Sequence, residues 1–373
     1  MHLTTLSLRE FRCYPEAELT FPPAVTVVTG ANGQGKTSLL EAIGWLALGR
    51  SFRGVPDAAL VREHADRAIV RGSVTHDATV RRVDVELRAA GRHRILLNGH
   101  PAARTRDLLG SLRVTVFAPD DLQLVKAGPG QRREYLDDLL VAAAPRYAAV
   151  RSDFDRVLRH RNALLRGGVH DAEARATLAV FNDQLVTVGG ELTRGRLRLV
   201  ARLTPLVDAA YGDLAHDTDG VTARYEPGWD PNDVELTRDD VDDRLRDALA
   251  RVAATETARG VTLVGPHRDE WRLAIDRRDS RTHASQGEQR TLALALRLAA
   301  HQVIADAVGS EPVLLLDDVF SELDADRSRA LVEALPSRAQ TVITTASSVP
   351  SGIRPAAHVE VRNGRIVAAP AVP

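Results

Sequence analysis

Apolar residues recur along this chain with two periods, and the places where the period changes divide it. Residues 2–9 and 16–21 alternate as two short strands around Phe11-Arg-Cys-Tyr-Pro15, and Ala24-Val-Thr-Val-Val-Thr29 is a continuous run of buried-strand type. Ser38-Leu-Leu-Glu-Ala-Ile-Gly-Trp-Leu behind it has helix character. Alternation returns over 68–74, 79–87 and 92–97, the last turned by Asn98-Gly99, which predicts an antiparallel β-layer bearing Arg71, Arg81, Arg82, Arg92 and Arg94. The plain reading of those arginines is a solvated strand face. Residues 114–117 are another buried-type strand.

From Gly130 the pattern becomes helical. Leu136, Leu140, Ala143, Tyr147, Val150, Phe154 and Val157 alternate steps of four and three, and Ala174, Leu178, Phe181, Leu185, Val188 and Leu192 repeat this beyond Gly167-Gly168. The spacing predicts either an antiparallel helical hairpin or a compact helical domain, with a kink or fresh start at Pro145. Residues 211–232 read as loops around one strand at 221–225. A polar helix at 239–254 then leads to β-structure at 261–264 and 271–275. The final third alternates helix, buried strand, helix and strand at 286–308, 313–316, 326–335 and 341–345, the pattern of a parallel sheet with helices on its faces. The expected organisation is an α/β domain with a mixed sheet and an antiparallel β-layer, built from 1–129 and 259–373. An α-helical domain over 130–258 interrupts it.

The 373 residues suffice for two domains. No apolar run approaches the length of a membrane span and the first residues alternate like a strand, so a cytoplasmic protein without a membrane partner is expected. Cys13 is the only cysteine, which excludes an intrachain disulfide and a Cys-ligated zinc site. With 49 basic and 50 acidic residues the net charge is −1, so any nucleic-acid binding must come from a local patch. Nearly all the basic side chains are arginine; the lysines are Lys36 and Lys126.

Lys36 belongs to Gly30-Ala-Asn-Gly-Gln-Gly-Lys-Thr37, which fits the G-x-x-x-x-G-K-[ST] phosphate loop and lies between a predicted strand and a predicted helix, as that loop requires. Gly30, Gly33 and Gly35 allow positive φ, so that the backbone N–H groups of the loop, Ala31, Asn32 and Gln34 included, turn toward a polyphosphate. Lys36 then reaches the β- and γ-phosphates and Thr37 holds Mg²⁺. Val313-Leu-Leu-Leu-Asp317-Asp318 is a buried strand ending in two carboxylates, Asp317 for the metal and Asp318 to polarise the attacking water. Ser285-Gln-Gly287-Glu-Gln289 opens the preceding helix and Ser321-Glu-Leu-Asp324 opens the following one; each also satisfies an ordinary helix cap. In this order the four stretches match the ABC-type ATPases.

Leu8-Arg-Glu-Phe-Arg-Cys-Tyr14, Leu48-Gly-Arg-Ser-Phe-Arg53, Phe117-Ala-Pro-Asp-Asp-Leu122, Arg132-Arg-Glu-Tyr-Leu-Asp137, Gly265-Pro-His-Arg-Asp269 and Leu316-Asp-Asp-Val-Phe-Ser-Glu-Leu-Asp324, with the phosphate loop, resemble the bacterial RecF family, SMC-like members of the ABC-type ATPases. The resemblance runs from near the first residue to about Asp324. It implies an ATP- and Mg²⁺-dependent DNA-binding protein of recombinational repair and replication restart, linked to the SOS response. Such a protein binds single-strand/double-strand junctions and assists recombinase loading with a RecR-type partner. It further implies a head-to-tail homodimer in which Ser285 and Gly287 of one chain meet the γ-phosphate held by the other, with Arg12 near the phosphates. Two departures stand out. Thr344-Thr345-Ala346 occupies the place where many ABC ATPases carry a switch histidine, which points to weak hydrolysis, and the Q-loop position is shared among Asp120, Asp121 and Gln123. A weakly hydrolysing ATP-binding scaffold and the ATPase subunit of another system, such as a transporter, are the alternatives.

Overall fold

The structure, a computed structural model, describes residues 1–215, 220–229 and 240–368. Its elements are, in order, β1 (His2–Phe11), β2 (Tyr14–Thr20), β3 (Val25–Thr29), α1 (Lys36–Leu48), β4 (Arg67–His76), β5 (Thr79–Arg88), β6 (Arg94–Leu97), β7 (His100–Pro101) and β8 (Val114–Phe117). There follow α2 (Leu122–Lys126), α3 (Pro129–Ala143), α4 (Tyr147–Gly167), α5 (Ala172–Leu214), β9 (Val221–Glu226), α6 (Val241–Arg259), β10 (Glu270–Ile275) and β11 (Arg278–Asp279). The chain ends with α7 (Gln286–Val308), β12 (Val313–Asp317), α8 (Ala325–Ala334), β13 (Thr341–Thr345), β14 (Ala357–Arg362) and β15 (Arg365–Ala368).

Two compact units result. The first takes Met1–Leu122, the end of α5 from Ala210, and the described chain from Arg290 onward. It contains an antiparallel sheet of order β2-β1-β4-β5-β6-β7 and a second sheet of order β15-β14-β3-β13-β12-β8, parallel except at its β15 edge. The strands β3, β12 and β13 are buried at almost every position, which a parallel sheet covered on both faces demands. Between the sheets lies α1, which touches β1 and β4 of one and β8, β12 and β13 of the other. Accordingly it is apolar all round, with Leu39, Leu40, Ile43, Trp45 and Leu46 fully buried, each contributing on the order of 1.5–3 kcal/mol.

The second unit takes Gln123–Ala209 and the described residues from 220 to Gln289. Pro145 produces a fresh helix start: α3 stops at Ala143, Ala144 is extended, and α4 begins at Tyr147, because proline lacks the N–H and bars the residue before it from helix. The predicted stripes are buried where helices pack, at Leu136, Leu140, Tyr147, Phe154, Val157, Leu185 and Leu192, and half-exposed at Ala174, Leu178 and Phe181 near the start of α5. A three-stranded sheet, β11-β10-β9, completes the unit, with Tyr135 of α3 stacked on Trp271 of β10 at 5.7 Å.

Three expectations need correction. Tyr211 to Leu214 is not loop but the end of α5. Residues 261–264 form no strand, because side chains take their backbone donors: the Thr262 N–H bonds Asn162 Oδ1 at 2.7 Å and the Leu263 N–H bonds Glu256 Oε1 at 2.6 Å. Helix α7 is long and apolar enough to cross a membrane, yet most of its apolar stretch is buried in protein, as in a core helix. Residues 216–219 and 230–232 of the expected loops and Asp239 of the expected polar helix lie outside the described residues.

A buried ion pair ties α4 to α6. Arg161, 1% exposed, bonds Glu256 Oε2 at 2.6 Å, Thr262 Oγ1 at 2.8 Å and Asn182 Oδ1 at 2.8 Å, while Glu256 is fully buried. Removing one partner of such a pair strands the other charge without water. Arg161→Leu should therefore destabilise the second unit by about 3–5 kcal/mol, and adding Glu256→Leu should recover part of the loss. Denaturant unfolding followed by the fluorescence of Trp229 and Trp271 would show it; additive effects of the two substitutions would contradict the coupling.

Candidate functional site

The carboxyl ends of β3, β13 and β12 lie side by side in the first unit, with Asp317 beside Thr344 and Thr344 beside Val28. Ligands of open α/β sheets bind at this edge. The chain leaves β3 through Gly30–Thr37, and α1 begins directly behind it with Gly35 as N-cap and no acidic residue in its first turn. An uncompensated helix N-terminus with inward N–H groups is an anion site.

Glycine is required in the loop for two reasons. Gly30, Gly33 and Gly35 have φ of 154°, 79° and 115°. In addition, a Cβ on Gly30 would run into the Val361 carbonyl oxygen, and one on Gly35 would meet Cys13 Sγ and the Tyr14 hydroxyl. Ala31, Asn32 and Gly33 are exposed, and Gln34 is half-buried. Lys36 is 6% exposed, its ammonium folded over the loop onto the carbonyls of Gly30 at 2.8 Å and Ala31 at 3.0 Å. The ammonium is thus held by carbonyl oxygens of the loop itself.

Thr37 donates its hydroxyl to Asp317 Oδ1 at 2.8 Å, and Thr344 donates to the same oxygen at 2.8 Å. Because β13 lies between β3 and β12, Thr344 has to be small and hydroxylic to sit beneath this contact. Burial raises the Asp317 carboxyl from its ordinary value, against the bonds from Thr344 and Thr37 that hold it down. Asp318 adopts a left-handed conformation, φ 51°, so that the chain turns out of β12 into the short helix Val319–Glu322. Its N–H reaches Thr344 Oγ1 at 3.0 Å, and its carbonyl accepts from the Ser321 hydroxyl at 2.7 Å.

The structure brings Gly30, Ala31, Asn32, Gly33, Gln34, Gly35, Lys36, Thr37, Asp317 and Asp318 together. Arg12 sits in the β1–β2 turn at φ 53°, with its guanidinium on Glu41 through bonds of 2.8 and 2.9 Å. Ser285 and Gly287 belong to the other compact unit, at the start of α7. There Ser285 forms a capping box with Glu288: the Ser285 N–H bonds Glu288 Oε2 at 2.6 Å, and the Glu288 N–H bonds Ser285 Oγ at 3.3 Å. Of the Q-loop candidates, Asp120 and Gln123 are exposed. Asp121 accepts from the Ala118 N–H at 2.9 Å and from Arg297 at 2.5 Å.

Several supporting residues escaped sequence reasoning. Glu41, wholly buried, anchors Arg12 and also accepts from the Ser51 hydroxyl, which explains a serine in Leu48-Gly-Arg-Ser-Phe-Arg53. The Tyr14 hydroxyl bonds the Gly35 carbonyl at 2.9 Å. Asn363-Gly364, the turn of the β14–β15 hairpin, donates its N–H groups to Gln34 Oε1 at 2.5 Å and to the Gln34 carbonyl at 3.1 Å. Asn-Gly between two apolar alternations is a legible hairpin signal, but nothing local links it to residue 34.

The family model for the RecF/RecN/SMC N terminal domain matches residues 2–353. The DNA replication and repair protein RecF of Streptomyces avermitilis is 44% identical over 352 residues, covering 93% of this chain and 94% of that one. Among solved structures, the recombination mediator protein RecF with ATP, of the RecFOR pathway, superimposes with a TM-score of 0.91 at 28% identity, covering 99% of this chain and 97% of that one. An SMC head bound to the C-terminal winged-helix domain of ScpA shares the fold, at a TM-score of 0.57 and 16% identity over 99% and 98% of the two chains. The α/β fold is that of the ABC-type ATPase heads, and the chain belongs to the RecF family.

Proposed function

We propose that this chain is an ATP-dependent DNA-binding protein of DNA replication and repair, in which ATP closes a homodimer on DNA. The observation that carries the reading is the Thr37–Asp317 bond, which sets a phosphate loop with a poised Lys36 against the acidic end of β12. The names of the relatives supply the DNA side: replication and repair for the Streptomyces protein, ATP and recombination mediation for the solved one.

In this reading the N–H groups of 30–35 and the ammonium of Lys36 bind the polyphosphate. Thr37 and Asp317 offer a hydroxyl and a carboxylate, oxygen donors that suit Mg²⁺. Among the described residues no three His, Cys, Asp or Glu side chains could hold a metal by themselves, so such an ion would also need phosphate oxygens. When bound, Mg²⁺ supplies charge neutralisation at the β- and γ-phosphates. Asp318 orients the attacking water, and Ser285 and Gly287 of one protomer meet the nucleotide of its partner. DNA is engaged at single-strand/double-strand junctions in the cytoplasm, with a RecR-type protein assisting recombinase loading during the SOS response. Hydrolysis is slow, since Thr344-Thr345-Ala346 occupies the place where many ABC ATPases carry a histidine. The same departure favours a second reading, in which ATP sets dimerisation alone and turnover stays at the assay floor.

Cys13 is exposed and its Sγ lies 3.8 Å from the Gln34 carbonyl. ATP should therefore slow maleimide labelling of wild type but not of Lys36→Ala, which should fold normally and bind ATP at least about a hundredfold more weakly, for loss of a charged contact worth about 3 kcal/mol. Equal affinity in the two proteins would refute the phosphate-loop role. Ser285→Arg should leave ATP binding intact and abolish the ATP-dependent dimer in sedimentation, whereas dimers independent of ATP would leave Ser285 as a helix cap only. Asp318→Asn should hold ATP and accumulate the closed dimer, while Asp317→Asn should lose the Mg²⁺ dependence of binding. Indistinguishable behaviour of the two variants would overturn the division of labour.

A further inference from the structure

The outer face of β4, β5 and β6 concentrates positive charge in a chain whose net charge is −1. Residues paired across neighbouring strands share a face, and the register Arg67↔Arg88, Arg71↔Asp84 and Glu86↔Arg94 places five arginines, Arg82 included, around two carboxylates. Asp84 is held between Arg82 at 3.0 Å and Arg71 at 3.3 Å, and Glu86 between Arg88 at 2.9 Å and Arg67 at 3.5 Å. The hydrogen bond from Arg88, with the charges of Arg88, Arg67 and Arg94 around it, lowers the Glu86 carboxyl from its ordinary value.

The carboxylates lie beneath, 14% and 17% exposed, while the side chains of Arg67, Arg71, Arg82 and Arg88 reach out at 49–61%. Each acid therefore aligns two guanidinium groups while offsetting the charge of one, and three of the five positive charges remain over. Arg67 directly opposite Arg88 is a like-charge pair that costs stability unless something outside the chain uses it. Toward β1 and β2 the same face turns acidic, with Glu16 opposite Arg9 and Glu18 opposite Ser7, so the basic area is bounded.

We propose that this face is a docking surface for the phosphate backbone of duplex DNA, contacted by Arg67, Arg71, Arg82, Arg88 and Arg94. The proposal rests on the DNA-binding reading above and names the surface that serves it. Arg82 and Arg88 are six residues apart on β5, about 20 Å, across which each strand of a duplex presents a phosphate every 3.4 Å of axis. The face carries no aromatic residue among its outward positions on these strands. Single strands need a stacking platform, and protein partners need a buried aromatic anchor, so neither fits as well as a duplex backbone.

The test is the salt dependence of binding to a gapped duplex oligonucleotide, with full-length protein, ATP and Mg²⁺. In Arg82→Gln/Arg88→Gln/Arg94→Gln, Asp84 keeps Arg71 and Glu86 keeps Arg67, so the sheet remains paired. The triple variant should bind ATP as wild type does, bind DNA about tenfold or more weakly, and lose roughly two to three from the slope of log affinity against log salt. Glu86→Gln should do the opposite, tightening binding and steepening the slope, a gain that misfolding cannot imitate. Arg329→Gln, on the exposed face of α8, should change neither. An unchanged slope in the triple variant overturns the proposal and leaves DNA binding to another surface. Loss of binding to an acidic protein partner with the DNA slope unchanged makes the face a protein interface and also overturns it. A wild-type chain that binds no gapped duplex even at low salt removes the DNA reading itself, and this proposal with it.

Discussion

One buried carboxylate oxygen holds the candidate site in register. Asp317 Oδ1 accepts hydrogen bonds from the hydroxyls of Thr37, at the start of α1, and of Thr344, on the neighbouring strand β13. Thr37 follows the phosphate loop, 280 positions away in the chain, and Thr344 comes from the strand that separates β3 from β12. A carboxylate buried this far is costly unless its lone pairs are satisfied, and hydroxyls satisfy them while leaving the charge available to a cation. The same contact thus fixes the sheet edge and keeps the acid ready.

Helix α1 makes this edge possible by having no solvent face. Packed between two sheets, it can neither slide nor tilt without opening the core around Trp45, Leu46 and Ile43, so its N-terminus and Lys36 are delivered to one place. The loop before it is braced from two sides, by Cys13 through Gln34 and Tyr14 through Gly35, and by the Asn363-Gly364 hairpin turn through Gln34. Conformational freedom that glycine would otherwise lend the loop is removed by its neighbours, which lowers the entropy that binding an anion would cost.

Charge is managed by the same economy of pairing. Arg161 with Glu256 and Arg12 with Glu41 are buried or nearly so, and each carboxylate there is fully engaged. On the outer face of β4–β6 the pairing is deliberately incomplete in number, two acids to five arginines, and the excess faces water. Buried pairs specify how elements meet; the exposed surplus specifies what can approach.

Much of this was determined by sequence alone. The phosphate loop, the strand ending in Asp317-Asp318, the antiparallel layer, the break at Pro145 and the helix over Gln286–Val308 are set by periodicity, glycine, proline and apolar runs, interactions within a few residues of one another. Where local signals failed, a distant side chain had intervened: Asn162 and Glu256 took the donors that would have made 261–264 a strand, and packing extended α5 through Tyr211 and Leu214. The partners of the site were decided only by tertiary structure. That Thr344 lies beside Asp317, that Glu41, itself bonded by Ser51, holds Arg12, and that Asn363-Gly364 braces Gln34 follow from strand order and register. Those are consequences of burying a whole core at once, which no stretch of sequence records by itself.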